Sequence, residues 1–129
     1  MKKGLILLFL IFLTLNINAT KTELNLYQSE EYLAFAEEMP TPLGGMEGIY
    51  SMIKYPELAI KGGVQGKVYV LAFVNENGEV DDVKVVKGIG AGCDEETIAA
   101  VKKTKFSPAK SGGKNVKVKM SLQIQFKLT

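Results

Sequence analysis

The fold of this chain is decided by the stretch Val116-Lys117-Val118-Lys119-Met120-Ser121-Leu122-Gln123-Ile124-Gln125-Phe126-Lys127-Leu128. Every even position in this stretch is apolar, and every odd position is polar. Successive side chains of a β-strand point to opposite faces, so a period of two predicts a strand with one dry face and one wet face. The even residues are therefore predicted to face a core, and the odd residues to face water.

Two short helices are predicted before the sheet begins. Apolar residues at helical spacing indicate the first over residues 46–54, and Pro56 prevents it from continuing because proline disfavours helix at the residue before it. Residues 57–61 form the second helix, which ends at Gly62-Gly63. Residues 32–36 are a short apolar run that fits either a strand or a helical turn, so that choice stays open.

A hairpin and a longer helix are predicted next. Residues 66–75 and 79–87 have strand composition and are joined at Asn77-Gly78, a pair expected to supply the positive φ values of the turn. A bulge is expected at Asp81-Asp82, because Val80 falls out of phase with the later valines. Cys93 or Asp94 is expected to cap the helix that follows, which Pro108 terminates.

This order of elements predicts an α+β fold with a three-stranded antiparallel sheet. The helix between the second and third strands returns the chain so that the third strand pairs with the first, which gives the order 2-1-3 with the helices packed on one face. The third strand is then an outer strand. The predicted core face consists of the even residues of that strand with Val68, Val70, Ala72, Val74, Val83 and Val85.

The opposite face of the first strand carries Tyr69, Leu71 and Phe73, which are large for a wetted surface. Either the preceding segment or a binding partner must cover them, and we favour the preceding segment.

The first 43 residues precede the predicted domain. Residues 1–19 have a charged start, a short apolar run and a small residue, Ala19, as a signal peptide does. We divide the chain into a signal peptide (1–19), a lead-in segment (20–43) and one domain (44–129). The expected location is the periplasm, with an uncleaved inner-membrane anchor as the alternative.

Composition argues against enzymatic chemistry. The chain has no His, which removes His-based zinc sites and the Ser/His and Cys/His nucleophile pairs. All 16 basic residues are Lys. Nucleic-acid readers rely on the bidentate hydrogen bonds of Arg to phosphate and guanine, so a nucleic-acid partner is not expected. The single Cys93 fits a small structural residue better than a nucleophile, because Asp94, Glu95 and Glu96 oppose its ionisation. We predict a non-enzymatic protein without a metal or cofactor.

Charge is unevenly distributed along the chain. Residues 20–47 hold six Glu and one Lys, whereas residues 97–129 hold eight Lys and no acid. Lysines on an outer strand can prevent it from pairing with the edge strands of other molecules, which would lead to aggregation. The alternative is a basic face for an acidic partner, or for the protein's own N-terminal segment.

A set of short motifs occurs in a characteristic order before the final strand. The set is Met39-Pro40, Gly44-Gly45, Tyr55-Pro56-Glu57-x-Ala59, Gly63-x-x-Gly66-x-Val68, Asn77-Gly78, Gly92-Cys93-Asp94 and Lys105-Phe106-x-Pro108. Over residues 37–128 the chain resembles the C-terminal domain of TonB-family energy transducers. Such proteins couple a proton-driven motor of the inner membrane to receptors of the outer membrane.

The resemblance implies that the domain binds an extended receptor peptide, the TonB box, by strand addition at the edge of the last strand. The partners implied are an outer-membrane TonB-dependent receptor and the inner-membrane motor complex. A full transducer also has a long Pro-rich spacer, and residues 20–43 hold only two prolines, so a free-standing periplasmic module fits better. The alternative is a structural module that forms a homodimer through the same edge. The candidate partner-binding residues are Lys117, Lys119, Ser121, Gln123, Gln125, Tyr55 and Pro56.

Overall fold

The computed structural model describes residues 32–129 of the chain. In this range, helices come before and between the strands. The predicted signal peptide, residues 1–19, and residues 20–31 of the lead-in segment lie outside the described residues. The elements are α1 (Gly45–Met52), α2 (Glu57–Gly62), β1 (Gly66–Val74), β2 (Val80–Lys87), α3 (Cys93–Lys103), β3 (Ala109–Ser111), β4 (Lys114–Val116) and β5 (Val118–Phe126). No helix in this range is both long enough and apolar enough to cross a bilayer.

The main sheet has the order β2-β1-β5, and both pairings are antiparallel. This confirms the predicted fold class and strand order. The even residues of β5 pair with the even residues of β1, so that Val68 lies opposite Ile124 and Val70 lies opposite Leu122. These four side chains are buried with Ile49, Val101 and Phe106 in a single core. The period-two pattern therefore predicted both the element and its buried face.

The hairpin of β1 and β2 agrees with the prediction at one bulge and differs from it at Val85 and Val86. The expected bulge is confirmed at Asp81, because Phe73 pairs with Asp82 and Val74 pairs with Val80. A second, unpredicted bulge lies at Val86, between the pairs Val70–Val85 and Tyr69–Lys87. The assignment of Val85 to the core was wrong, since that side chain is 38% exposed at the border of the sheet.

The turn between β1 and β2 is fixed by Asn75 and Gly78. The Asn75 side-chain oxygen accepts hydrogen bonds from the backbone amides of Asn77 and Glu79. Gly78 has φ +80°, whereas Asn77 does not adopt positive φ, contrary to expectation. A Cβ on Gly78 would lie 1.9 Å from the Phe106 carbonyl oxygen, and the Phe106 amide donates to the Gly78 carbonyl at 2.9 Å. Glycine is therefore required here by its φ value and by this close backbone contact.

The start of α3 also differs from the prediction. The residue preceding the helix is Gly92, with φ 87°, and neither Cys93 nor Asp94 caps the helix through its side chain. The Asp94 carboxylate instead accepts hydrogen bonds from the Ile89 and Gly90 amides of the preceding loop. The acidic first turn and the basic last turn are both present, as the helix dipole favours.

The predicted final strand is divided at Lys117. Its first part, β4, pairs with β3 in a small hairpin that the sequence analysis did not predict, and its second part, β5, pairs with β1. The chain thus changes sheets between Val116, which lies opposite Ala109, and Val118, which lies opposite Val74.

Residues 32–43 of the lead-in segment form three isolated backbone bridges with the domain. Leu33 forms a parallel bridge with Val118, Glu38 an antiparallel bridge with Lys110, and Pro42 an antiparallel bridge with Phe106. Residues 32–43 therefore belong to the same compact unit as the sheet, which runs from Tyr32 to Thr129. The run at residues 32–36 is neither a helical turn nor a full strand, since Leu33 makes only a single bridge.

Candidate functional site

The outer edge of β5 is the candidate site, and alternating backbone groups face it. The Lys119 amide donates to the Leu33 carbonyl at 2.9 Å, and the Gln125 amide donates to the Tyr50 hydroxyl at 2.9 Å. Both contacts lie away from β1, so the odd residues of β5 direct their N–H and C=O groups outward. The even residues direct theirs toward β1.

Two outward amides lie between these contacts. Within residues 32–129, neither the Ser121 amide nor the Gln123 amide has a hydrogen-bond partner. Both residues are exposed, so water can reach their backbone groups. A row of unpaired donors and acceptors on a sheet edge is what an added strand pairs with.

The four candidate residues of β5, together with Lys117 just before it, share one face of the sheet. Lys117, Lys119, Ser121, Gln123 and Gln125 alternate with the buried residues, as predicted. They form a polar row along the outer edge.

Tyr55 and Pro56 do not lie on that polar row. The Tyr55 ring packs edge-on against Phe126 with centroids 5.4 Å apart, and its hydroxyl donates to the Val64 carbonyl. Pro56 packs beside Gly92, where a Cβ would come within 3.2 Å of the proline ring. The two residues thus join the end of β5 to the start of α3, and their assignment to partner binding stays a prediction.

Burial affects the two ionisable groups of this junction. Burial raises the pKa of the Cys93 thiol, and the neighbouring Asp94 and Glu95 raise it further. Partial burial raises the pKa of the Tyr55 hydroxyl, to which Cys93 adds a smaller effect. The Cys93 side chain is fully buried and its pKa is shifted toward the protonated form, so it lacks the properties of a reactive thiolate.

The outer face of the sheet is only partly covered. Tyr32 packs edge-on against Phe73 with ring centroids 5.1 Å apart, and its hydroxyl donates to Asp81. The lead-in segment therefore covers Phe73, as we favoured. Beside it a shallow hollow of about 310 Å³ remains, lined by Tyr69, Val70, Val86, Lys87 and Ser121.

Two residues of the edge, Leu33 and Tyr50, could not be predicted from the sequence. A single bridging residue has no period, so Leu33 gave no signal beyond the short apolar run around it. Tyr50 lies on α1 beside the buried Ile49, and only the tertiary packing directs its hydroxyl to Gln125.

Acidic and cysteine side chains do not cluster in the described residues in a way that could hold a metal ion. The outer edge of β5 itself consists of outward backbone groups flanked by polar side chains, an arrangement suited to pairing with an extended chain.

This chain is similar to known TonB proteins. The family profile described as the Gram-negative bacterial TonB protein C-terminal matches residues 51–128. Among curated proteins, Protein TonB of Pseudomonas aeruginosa is 33% identical over 75 residues, which cover 57% of this chain and 22% of that protein. The protein tonB2 of the same organism is 36% identical over 76 residues, which cover 58% of this chain and 28% of that protein. The chain thus spans about a quarter of the length of the curated relatives it matches.

Solved structures of TonB C-terminal domains are also similar to this chain. The solution structure of the Pseudomonas aeruginosa TonB C-terminal domain is 32% identical, with a TM-score of 0.49 over 59% of this chain and 78% of that one. A Helicobacter pylori TonB C-terminal domain is 27% identical, with a TM-score of 0.46 over 63% and 86% of the two chains.

Proposed function

Because this chain belongs to the family of TonB C-terminal domains, we propose that it is a peptide-binding module of energy-coupled transport across the outer membrane. In this proposal the domain engages TonB-dependent receptors and pairs with the extended TonB box of the receptor by β-strand addition.

The observation that carries the proposal is the outer edge of β5. Between Leu33 and Tyr50, the Ser121 and Gln123 amides face outward without a partner among the described residues. Main-chain pairing to such an edge supplies affinity, and alternate side chains of the added strand supply specificity. The polar row on β5 keeps the edge soluble without blocking its backbone.

The location and the remaining partners follow from the same proposal. A module that meets outer-membrane receptors works in the periplasm, which is where a signal peptide over residues 1–19 would deliver it. A link to the inner-membrane proton motor would let it transmit energy as well as bind.

Amide chemical-shift mapping with a synthetic TonB-box peptide tests the proposal. The shifted amides should include Ser121 and Gln123. The decisive variant is Gln123→Pro, which removes an outward donor but leaves the bonds to β1, because those come from the even residues. Gln123→Pro should retain the fold and lose most of its affinity for the peptide.

The matched control is Gln123→Ala, which removes the same side chain and keeps the N–H. It should keep the outward hydrogen bond and therefore lose far less affinity for the peptide than Gln123→Pro. Shifts confined to residues 88–93, with β5 unaffected, would rule out strand addition.

The same edge could instead pair with a second copy of this chain. A dimer that persists at micromolar concentration in sedimentation, dissociates in Gln123→Pro and ignores the peptide would favour that alternative.

A further inference from the structure

The lead-in segment occupies part of the edge to which the receptor peptide is proposed to bind. The Leu33 amide donates to the Lys117 carbonyl at 2.8 Å, and the Leu33 carbonyl accepts from the Lys119 amide at 2.9 Å. These are two of the outward backbone groups of the predicted binding edge. A peptide cannot pair with them while Leu33 is in place.

The occupied part of the edge is held by Tyr32. Its ring packs against Phe73, its hydroxyl donates to Asp81, and the Lys117 ammonium lies 5.6 Å from its centroid. Beyond Leu33 the chain leaves the edge, and Phe35 is 76% exposed. At this end of the edge the contact thus consists of a single-residue bridge at Leu33 beside the aromatic contact of Tyr32.

The other end of the edge is occupied by a side chain. The Tyr50 hydroxyl accepts the Gln125 amide, and Tyr50 is 40% exposed. Between the two contacts only the Ser121 and Gln123 amides remain as outward donors in the described part of β5. The seven residues from Lys119 to Gln125 extend over roughly 20 Å, which allows a short strand to begin pairing but not to use the full edge.

We propose that Tyr32–Leu33 is a built-in competitor for the β5 edge, an internal segment that a bound peptide must displace to pair along the whole of β5. This inference rests on the proposed function and adds its regulation. A peptide first pairs at Ser121 and Gln123, and then replaces Leu33 at Lys117 and Lys119. Any partner that pulls Tyr32 and Leu33 away from the sheet would raise the affinity for the peptide.

The competitor also indicates the chemistry of the chain that replaces it. The segment reads Glu30-Glu31-Tyr32-Leu33-Ala34-Phe35-Ala36-Glu37-Glu38, an extended apolar run between acidic residues. Lys117 and Lys119 are the basic residues nearest its bridge to β5. A replacing peptide with an apolar centre and an acidic flank would bring negative charge to Lys117 and Lys119, which flank the bridge at Val118.

The test is a matched pair of substitutions in the full chain, Leu33→Pro and Leu33→Ala. Proline removes the amide that donates to Lys117, whereas alanine keeps both backbone bonds and loses only a side chain that is 43% exposed. A synthetic TonB-box peptide is titrated into each variant and into the wild type, with amide shifts as the readout. Leu33→Pro should bind about fivefold more tightly than the wild type, roughly the effect of one backbone hydrogen bond, and Leu33→Ala should differ by less than about twofold.

A second readout follows displacement directly. In the peptide-saturated wild type, the Ala34 and Phe35 amide shifts should move toward those of the peptide-free Leu33→Pro variant.

The remaining outcomes separate this inference from the proposed function. Equal affinities of wild type and Leu33→Pro, with shifts on β5 in both, would overturn the competitor and leave strand addition standing. Weaker binding by Leu33→Pro would make the lead-in part of the receptor site, which also contradicts competition. If the peptide shifts no β5 amide in any of the three proteins, both proposals fail.

Discussion

At the scale of single residues, Gly78 shows how a turn can be fixed from outside itself. Its positive φ suits a hairpin, but the Phe106 carbonyl, 28 positions further along the chain, is what excludes a side chain. The Asn-Gly pair revealed the turn in the sequence. The contact with Phe106 could not be foreseen, because it depends on where the segment after α3 lies.

Gly78→Ala should destabilise the protein by roughly 3 kcal/mol or more, since strain at positive φ adds to a backbone clash. Gly113→Ala is the matched control. Its φ is +76°, and a Cβ there would meet nothing within 4 Å. The control should cost only about 1–2 kcal/mol, the cost of the φ strain itself. Urea melts of both variants measure the difference, and equal losses of stability would contradict the clash.

Cys93 makes stability depend on pH at the alkaline end. An exposed thiol ionises near pH 8.5, whereas burial and the adjacent acids hold the pKa of Cys93 above its ordinary value in the folded protein. As pH rises, the unfolded chain loses this proton first. The stabilisation is thus fully present below about pH 8.5 and is lost as pH rises through the folded pKa.

The free energy of unfolding should therefore fall between pH 7.5 and pH 9.5, by at most about 1.4 kcal/mol per pH unit from this one group. Denaturant melts at the two pH values measure the fall. Cys93→Ala should show a smaller fall, because burial still raises the pKa of Tyr55 in the variant. An identical pH dependence in both proteins would mean that the thiol does not contribute.

At the scale of elements, β5 shows which features a pattern predicts well. Its buried face followed from the period of two, because one residue of slippage would expose every apolar side chain. The bulge at Val86 and the hairpin of β3 and β4 did not follow. Where a strand gains an extra residue, or changes its partner at Lys117, is decided by the neighbouring strand rather than by its own sequence.

The two faces of β5 should respond differently to truncation. Ile124→Ala should cost about 2–5 kcal/mol, because Ile124 is fully buried opposite Val68. Gln123→Ala, on the exposed face, should stay within about 0.5 kcal/mol. Similar losses in a denaturant melt would contradict the register between β1 and β5.

At the scale of the whole molecule, sequence reasoning found the fold and the polar row but not what occupies the edge. Sheet order followed from the direction of the crossover through α3, and the row followed from alternation. The contacts of Leu33 and Tyr50 join segments 85 and 75 positions apart, Leu33 to Val118 and Tyr50 to Gln125. No local sequence pattern predicts a contact between residues so far apart in the chain.

The proposed export also belongs to the molecule as a whole. If residues 1–19 are removed, intact mass spectrometry of the protein recovered from the periplasm should show a chain that starts near Thr20. Recovery of only the full-length chain, in the membrane fraction, would instead support an N-terminal anchor.

The pairing of β1 with β5 determines the order in which this domain can fold. β1 has β2 as a neighbour early in synthesis, but its other side stays unpaired until residues 118–126 have emerged. A chain threaded from its N-terminus through an export channel would therefore present an open, apolar β1 until the last strand arrived. The sheet cannot be completed before β5 is available, and pairing between segments so far apart in sequence makes folding slow. The arrival of β5 is thus a late step of folding, and the same strand is the border of the finished sheet.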